Sequence, residues 1–427
     1  MIINISVSLL TEPEIIKRTT MERTWRWFGK NDKITLAMLK EIGVEGIVTA
    51  LHEVPLGEVW TREKIRDLRE YIESYGMRWS VVESLPVVES IKYGGPDRDE
   101  QIERYKESLR NLSAEGIHTI CYNFMPVLDW ARTDLDHPNP NGTTNLYFSF
   151  AEFAYFDIYI LQRKGAREDW ANFKIKGVER DILAEADEIK ARMTPEDDRK
   201  LVENIVIKTQ GFVSGNFKEG EAQPVELFRK LLALYDGISK EQLRENMRYF
   251  LSAIMPVCEE CGMYMCVHPD DPPYPILGLP RIVTCDEDIE WFLNAVDNPH
   301  NGLTFCAGSL SAGAHNDIVE LARKYASRTW FVHLRSCHIF PNGDFTEASH
   351  LGGRADVIEL ARIFEKTNPK LPMRVDHGMT MLGDGERGYN AGYSFLGRMF
   401  AMGQVHDILA TVDRELGIEY KQPGFHE

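Results

Sequence analysis

Four residues of the kinds that bind transition metals occupy the same kind of place in this chain. His268 closes the run Met263-Tyr-Met-Cys-Val-His268, Cys306 closes Leu303-Thr-Phe-Cys306, His333 closes Trp330-Phe-Val-His333, and Asp376 closes Met373-Arg-Val-Asp376. A run of β-branched and aromatic residues bounded by turn residues reads as a buried strand, and a donor at the end of each puts all four on one rim. One histidine closing a strand is more often a core side chain bonded to backbone. Four donors in succession, each separated by a stretch of helix length, point to a shared ion. Two imidazoles, a thiolate and a carboxylate suit Mn2+, Fe2+ or Zn2+, whereas Mg2+ and Ca2+ favour all-oxygen shells. Four protein ligands could close a structural zinc site; at a barrel rim, a metal that accepts five or six ligands keeps positions open for substrate.

The neighbours of these donors suit a hydroxylated acid. Arg374 precedes Asp376 by two residues, so both point to one side of the strand, and a guanidinium can fork onto a carboxylate. Pairing with a barrel carboxylate is the alternative. His377 and Tyr393 are candidate proton carriers, although Tyr393 would equally suit a core position with its hydroxyl capped.

Positioning these groups requires a repeating scaffold. The first half of the chain carries four more apolar runs: Thr24–Phe28, Gly46–Ala50, Trp79–Glu83 and Thr119–Phe124. Between strands lie segments with helical periodicity, such as 34–42 and 64–72, several stopped by Gly43, Gly76 or Gly116, as expected of a left-handed C-terminal cap. Eight strand-helix alternations predict an α/β fold, a closed (β/α)8 TIM barrel with its active site at the strands' C-terminal ends. A doubly wound open sheet shares the alternation. It is disfavoured because no Gly-x-Gly-x-x-Gly follows the first strand and no Gly-Lys-Ser/Thr loop is present.

The rhythm breaks between the fourth strand, ending near Phe124, and the fifth, beginning near Met263. Residues 128–238 are expected to be a helical insertion, with Ile182–Met193 and 195–200 as solvated helices and a turn, and 240–261 as the returning crossover helix. The insertion leaves from the catalytic rim, which suits a lid or a subunit contact as well as a surface elaboration. Barrels with insertions run to this length, so residues 1–427 are read as a single domain. The apolar start, residues 1–10, makes a poor export signal, lacking a preceding basic region and followed by Glu12, Glu14 and Lys17, and residues 1–20 are read as an amphipathic extension.

A composition of 43% hydrophobic and 27% charged residues is that of a soluble globular protein, and no apolar run approaches bilayer length. With 49 basic against 66 acidic residues and a net charge of −17, nucleic acid is an unsuitable partner. An anionic small molecule is not excluded, since charges beyond about 8 Å are largely screened. Seven cysteines, an odd number, suggest reduced thiols in the cytoplasm. Cys258-Glu-Glu-Cys261 has no second Cys-x-x-Cys to complete a zinc knuckle and falls at a helix end. Cys306 differs in its strand-end setting and in the small residues Ala307-Gly-Ser309 beside it.

Ten strings resemble one family: Trp25-Arg-Trp-Phe-Gly29, Val48-Thr-Ala-Leu-His52, Gly57-Glu-Val-Trp60, Ser80-Val-Val-Glu-Ser84, Asn123-Phe-Met-Pro-Val127, His268-Pro-Asp-Asp-Pro-Pro273, Gly278-Leu-Pro-Arg-Ile-Val283, Thr304-Phe-Cys306, His333-Leu-Arg335 and Asp376-His-Gly378. In order and spacing, from about Thr24 to Leu409, they are similar to mannonate dehydratases of glucuronate breakdown. The resemblance implies a xylose-isomerase-like barrel using Mn2+ or Fe2+ to convert D-mannonate to 2-dehydro-3-deoxy-D-gluconate. It further implies His268, Cys306, His333 and Asp376 as metal ligands, Arg374 on substrate, and His377 and Tyr393 in catalysis. Asn123 and His350 are expected to contact substrate, and a homo-oligomer is expected. Two positions depart from the family pattern: Met379 stands where a histidine is expected and Val375 where a proline is.

The expected chemistry is β-elimination, in which a base takes the weakly acidic C2 proton and the C3 hydroxyl leaves with a proton. An isomerase or epimerase on the same scaffold, or a non-catalytic sugar-acid binding protein, are the rival readings. Formation of a 2-keto-3-deoxy acid separates them. A metal-dependent phosphodiesterase for damaged DNA fits neither the charge balance nor a single thiolate-containing site.

Overall fold

The computed structural model describes residues 20–210 and 222–418, so the predicted N-terminal extension, Thr20 apart, lies outside the described residues. In chain order the strands are β1 (Glu22–Arg26), β2 (Gly46–Thr49), β3 (Arg78–Glu83), β4 (Thr119–Tyr122), β5 (Asp134–Pro138), β6 (Thr144–Phe148), β7 (Tyr264–Val267), β8 (Asn301–Cys306), β9 (Thr329–His333), β10 (Cys337–Ile339), β11 (Phe345–Glu347) and β12 (Pro372–Arg374). Eight of them close into a parallel barrel in the order β1-β12-β9-β8-β7-β4-β3-β2. Because β1 pairs with both β12 and β2, no edge remains and the open-sheet alternative falls.

Local chemistry sets the helices that return the chain. Thr35 and Thr61 cap Leu36–Glu41 and Arg62–Glu73 by accepting the backbone N–H of Met38 and Lys64. In the second of these helices Ile65, Leu68 and Ile72 form the buried stripe that packs on the barrel. The long helix Lys240–Cys261 stops at Gly262, whose φ of 62° a side chain would resist. None of the helices among the described residues is long and apolar enough to cross a membrane.

Strand parity decides what faces the barrel axis. Val48, Val81, Cys121, Cys266 and Phe331 form one buried interior cluster, while their neighbours Ile47, Val82, Ile120, Met265 and Val332 pack into the outer helix-covered core. Thr304 joins the interior layer, donating its hydroxyl to Cys121 Sγ at 3.2 Å. Two residues further along each strand the side chains face inward again. That parity brings Arg26, Glu83, Asn123, His268, Cys306 and His333 to the C-terminal mouth.

The segment from Leu128 to Ile238 is not purely helical, as the sequence led one to expect. It opens with the hairpin β5–β6, which joins β10 and β11 from the loop after β9 in a four-stranded antiparallel sheet ordered β10-β11-β6-β5. This sheet depends on contacts far apart in sequence. Phe345 pairs with Phe148, and their rings stack with centroids 5.2 Å apart. The hairpin is also pinned to the loop after β12, where Thr144 and Thr380 exchange backbone hydrogen bonds of 3.1 and 2.9 Å. Further on, the segment supplies the expected helices, among them Ile182–Lys190 and Pro195–Val202. The second of these begins in a capping box between Thr194 and Asp197.

At the opposite end of the barrel Glu365 receives hydrogen bonds of 2.7 Å from both the Thr20 hydroxyl and the Met21 amide. Burial outweighs these bonds and pushes the Glu365 carboxyl up to about 7. Between the ordinary value of 4.5 and that figure the folded protein keeps a proton that the unfolded chain has released, so stability falls as pH rises through this window. In Glu365→Gln this fall should disappear, a change of up to roughly 3 kcal/mol. Urea unfolding at pH 5 and pH 8 measures it, and equal pH slopes in both proteins would show that Glu365 does not titrate there.

Candidate active site

His268, Cys306 and His333 bring one ligand atom each to within 4.8 Å of one another. His268 Nδ1–H donates to the Pro269 carbonyl at 2.7 Å, which leaves Nε2 as the ring nitrogen that could ligate an ion. Cys306 Sγ accepts the Ser309 hydroxyl at 3.1 Å and the Ser309 amide at 3.4 Å. Burial disfavours a charged His268, but Cys306, Glu83 and Asp129 outweigh it and push its pKa up to about 9.

Asp376 borders two members of this group, with Oδ2 3.6 Å from His333 Nδ1 and 3.7 Å from Cys306 Sγ. It lies beyond β12 rather than within the strand, as had been predicted. Its φ of 57° turns the backbone left-handed, and a strand cannot continue through that conformation. Burial works against its charge, yet Arg374, His377 and Arg335 hold the carboxyl well below the usual range. His333 Nδ1 is buried without a hydrogen-bond partner, and buried polar atoms rarely lack one.

Above these residues opens a pocket of about 480 Å3, part of it continuous with solvent, lined by Arg26, Glu83, Asn123, Trp130, His268, Arg374, Asp376, His377 and Tyr393 among others. Tyr393 packs edge-on against Phe28 and His377, with centroids 5.0 and 5.1 Å away. Burial pushes its hydroxyl pKa above the ordinary tyrosine value, so the phenol keeps its proton. His377 Nδ1 sits 2.7 Å from Arg335 Nη1 and 3.1 Å from Glu347 Oε1. Accepting from the arginine leaves Nε2–H as a proton donor; donating to the glutamate leaves a bare Nε2 as a base. Burial lowers the His377 pKa and favours the neutral ring.

Arg374 is more fully committed than its predicted substrate role requires. Its Nη2 donates to Glu83 Oε1 at 2.9 Å, its Nε donates to His333 Nε2 at 2.9 Å, and Nη1 lies 2.9 Å from Asp376 Oδ1. Asn123 reaches the pocket and donates to Asp129 Oδ2 at 2.7 Å. His350 is not among the pocket-lining residues. It is buried, and its Nε2–H donates to the Val375 carbonyl at 2.6 Å, so it supports the turn leading to Asp376. Met379, at one departure from the family pattern, also lies outside the lining, its sulfur accepting the Thr143 hydroxyl at 3.6 Å.

An ion-pair lattice that the sequence did not reveal frames the site. Arg132 binds Asp271 and Glu347 at 2.6 and 2.7 Å, and Arg335 binds Asp271 at 2.7 Å and Asp376 at 3.1 Å. These charges are buried but mutually paired, which makes their burial tolerable. Gly308 admits Arg335 to this lattice, since a Cβ there would stand 1.7 Å from Arg335 Nε. The insertion contributes as well. Gln210 accepts the Asp129 amide at 2.9 Å and donates to the Trp130 carbonyl at 2.8 Å, fixing the loop that carries both residues to the pocket.

Residues 21–419 match the family described as D-mannonate dehydratase (UxuA). A mannonate dehydratase from Marinomonas sp. (strain MWYL1) is 44% identical over 409 residues, covering 93% of this chain and 99% of that protein. One from Chromohalobacter salexigens is 41% identical, covering 93% and 100% respectively. The crystal structure of mannonate dehydratase from Streptococcus suis serotype 2 superposes with a TM-score of 0.73 at 32% identity, over 96% of this chain and 97% of that one. A D-tagatose 3-epimerase-like protein, with a TM-score of 0.50 at 9% identity over 93% and 100% of the two chains, shares the fold alone. The similarity runs from the first barrel strand to the last helix and takes in every residue of the site just described, and on that basis the chain belongs to the D-mannonate dehydratase family.

Proposed function

We propose that the pocket removes water from D-mannonate to give 2-dehydro-3-deoxy-D-gluconate, a step of hexuronate catabolism, with one divalent cation, Mn2+ or Fe2+. The convergence of His268, Cys306 and His333 beneath a pocket lined by Tyr393 and His377 carries this reading. The donors fit such an ion. Two imidazoles and a sulfur disfavour the hard cations, Asp376 adds an oxygen at their edge, and the unpartnered His333 Nδ1 is an atom a cation would satisfy. When bound, the cation supplies positive charge that stabilises the anion developing beside the substrate carboxylate.

The chain's own residues handle the protons. His377 is held by Arg335 and Glu347 in either of two protonation patterns, and Tyr393 remains a phenol within the same pocket wall. One takes the C2 proton and the other delivers a proton to the departing C3 hydroxyl. Arg374 tethers Glu83, His333 and Asp376 and so fixes the wall on which the acid lies. Asn123 is oriented by Asp129 to meet a substrate hydroxyl. The seven cysteines are all free thiols, which supports a reducing cytoplasmic setting, and the assembly is read as a homo-oligomer.

Metal-reconstituted protein incubated with a panel of aldonates tests the reading. D-mannonate should yield a 2-keto-3-deoxy acid detectable with periodate and thiobarbiturate. Conversion to an isomer with no loss of water, or binding with no turnover, would contradict it.

A further inference from the structure

Three arginines line the pocket, and two of them are spent on protein carboxylates. Arg335 lies within 3.1 Å of both Asp271 and Asp376, and Arg374 within 2.9 Å of both Glu83 and Asp376. Arg26 differs. It closes β1 with only 5% of its surface exposed, yet it forms no ion pair with any described residue. Among the described residues its side chain makes one hydrogen bond, from Nη1 to the backbone carbonyl of Glu83. Arg398 shows how this fold treats an arginine that is buried without a carboxylate: it spreads its donors over the carbonyls of Ser394, Arg26 and Tyr393 and lies outside the pocket lining. A guanidinium carries five N–H donors, and most of those on Arg26 have no acceptor among the described residues. Burying a cation without a counter-charge is costly, and the opening beside Arg26 is the substrate pocket.

We propose that Arg26 is the carboxylate anchor of the site, binding the acid group of a sugar acid, while Arg374 serves to organise the wall. Only the identity of the sugar rests on the dehydratase reading; the ligand class follows from Arg26 itself. The placement suits elimination. Arg26 stands 5.0 Å over the Phe28 ring, whose centroid is 5.0 Å from that of Tyr393, and both Arg26 and Tyr393 line the pocket, so a carboxylate held by Arg26 puts the adjoining carbons on the Tyr393 side of the site. Burial lowers the Arg26 pKa, the direction expected of a cation whose partner arrives with the ligand.

Calorimetry on the metal-loaded protein can test this with D-mannonate and its carboxylate-free counterpart D-mannitol, using competition where binding is weak. Wild type should prefer the acid by at least about a hundredfold. Arg26→Met should lose most of that preference, as when one partner of a buried charge pair is removed, while D-mannitol affinity stays within about threefold and reports an intact pocket. Arg26→Lys should recover part of the preference. Retention of the full preference in Arg26→Met, or no preference in wild type, would overturn the assignment. Carboxylate-dependent binding that Arg26→Met abolishes, in a protein that forms no keto acid, would uphold Arg26 and overturn the dehydratase reading alone.

Discussion

Tyr393→Phe is expected to lower kcat for D-mannonate by about a hundredfold to ten-thousandfold, the range for losing a positioned acid or base, with no change in metal content. The variant deletes one oxygen and keeps the ring that packs against Phe28 and His377, so the barrel mouth should hold its shape. KM should move much less than kcat, because the hydroxyl matters at the step where a proton is transferred. Turnover within a factor of about three of wild type would remove Tyr393 from the chemistry and leave His377 to serve alone.

Cys306→Ala should have the larger consequence for the cation. The sulfur is wholly buried, receives two hydrogen bonds from Ser309, and converges with two imidazoles, whereas Cys121 groups with only one of them, His333, and with Glu83. Alteration of outer-shell partners alone costs about 10–100-fold in metal affinity, so loss of a direct donor should exceed that, with activity falling in proportion. Metal content after dialysis, measured beside the far-ultraviolet spectrum, separates loss of the ion from loss of the fold. A Cys306→Ala protein that keeps its full complement of metal would show that the sulfur is not a ligand.

The convergence of three ligand-type residues was legible in the sequence because strand parity is local. A residue two positions beyond an interior side chain faces the same way, and that rule locates His268, Cys306 and His333 without further knowledge. The same parity applied to β1 and β3 would have singled out Arg26 and Glu83, but neither type stands out as a metal donor at a strand end in the way histidine and cysteine do. Asp376, expected as a fourth ligand closing a strand, lies beside Cys306 and His333 but past the end of β12, since nothing in Met373-Arg-Val-Asp376 announces a left-handed turn at its last residue. The commitments of Arg374 were illegible for a different reason: Glu83 is 291 positions away. Long-range pairing also hid the β5–β6 hairpin, whose short, partly polar strands become a sheet only when Phe345–Glu347 lies beside them. His350, expected to contact substrate, is a buried imidazole bonded to a carbonyl, the commoner fate of a histidine in a core.

One ion held jointly by imidazole nitrogen, sulfur and carboxylate oxygen, within reach of a sugar acid, underlies the whole proposal. X-ray absorption at the metal edge of the Mn2+- or Fe2+-loaded protein interrogates that shell directly. It should show one sulfur neighbour among nitrogen and oxygen neighbours, with the sulfur lost in Cys306→Ser and the lighter-atom shell perturbed when D-mannonate is added. A shell of nitrogen and oxygen alone in the wild-type protein, unchanged by D-mannonate, would contradict it.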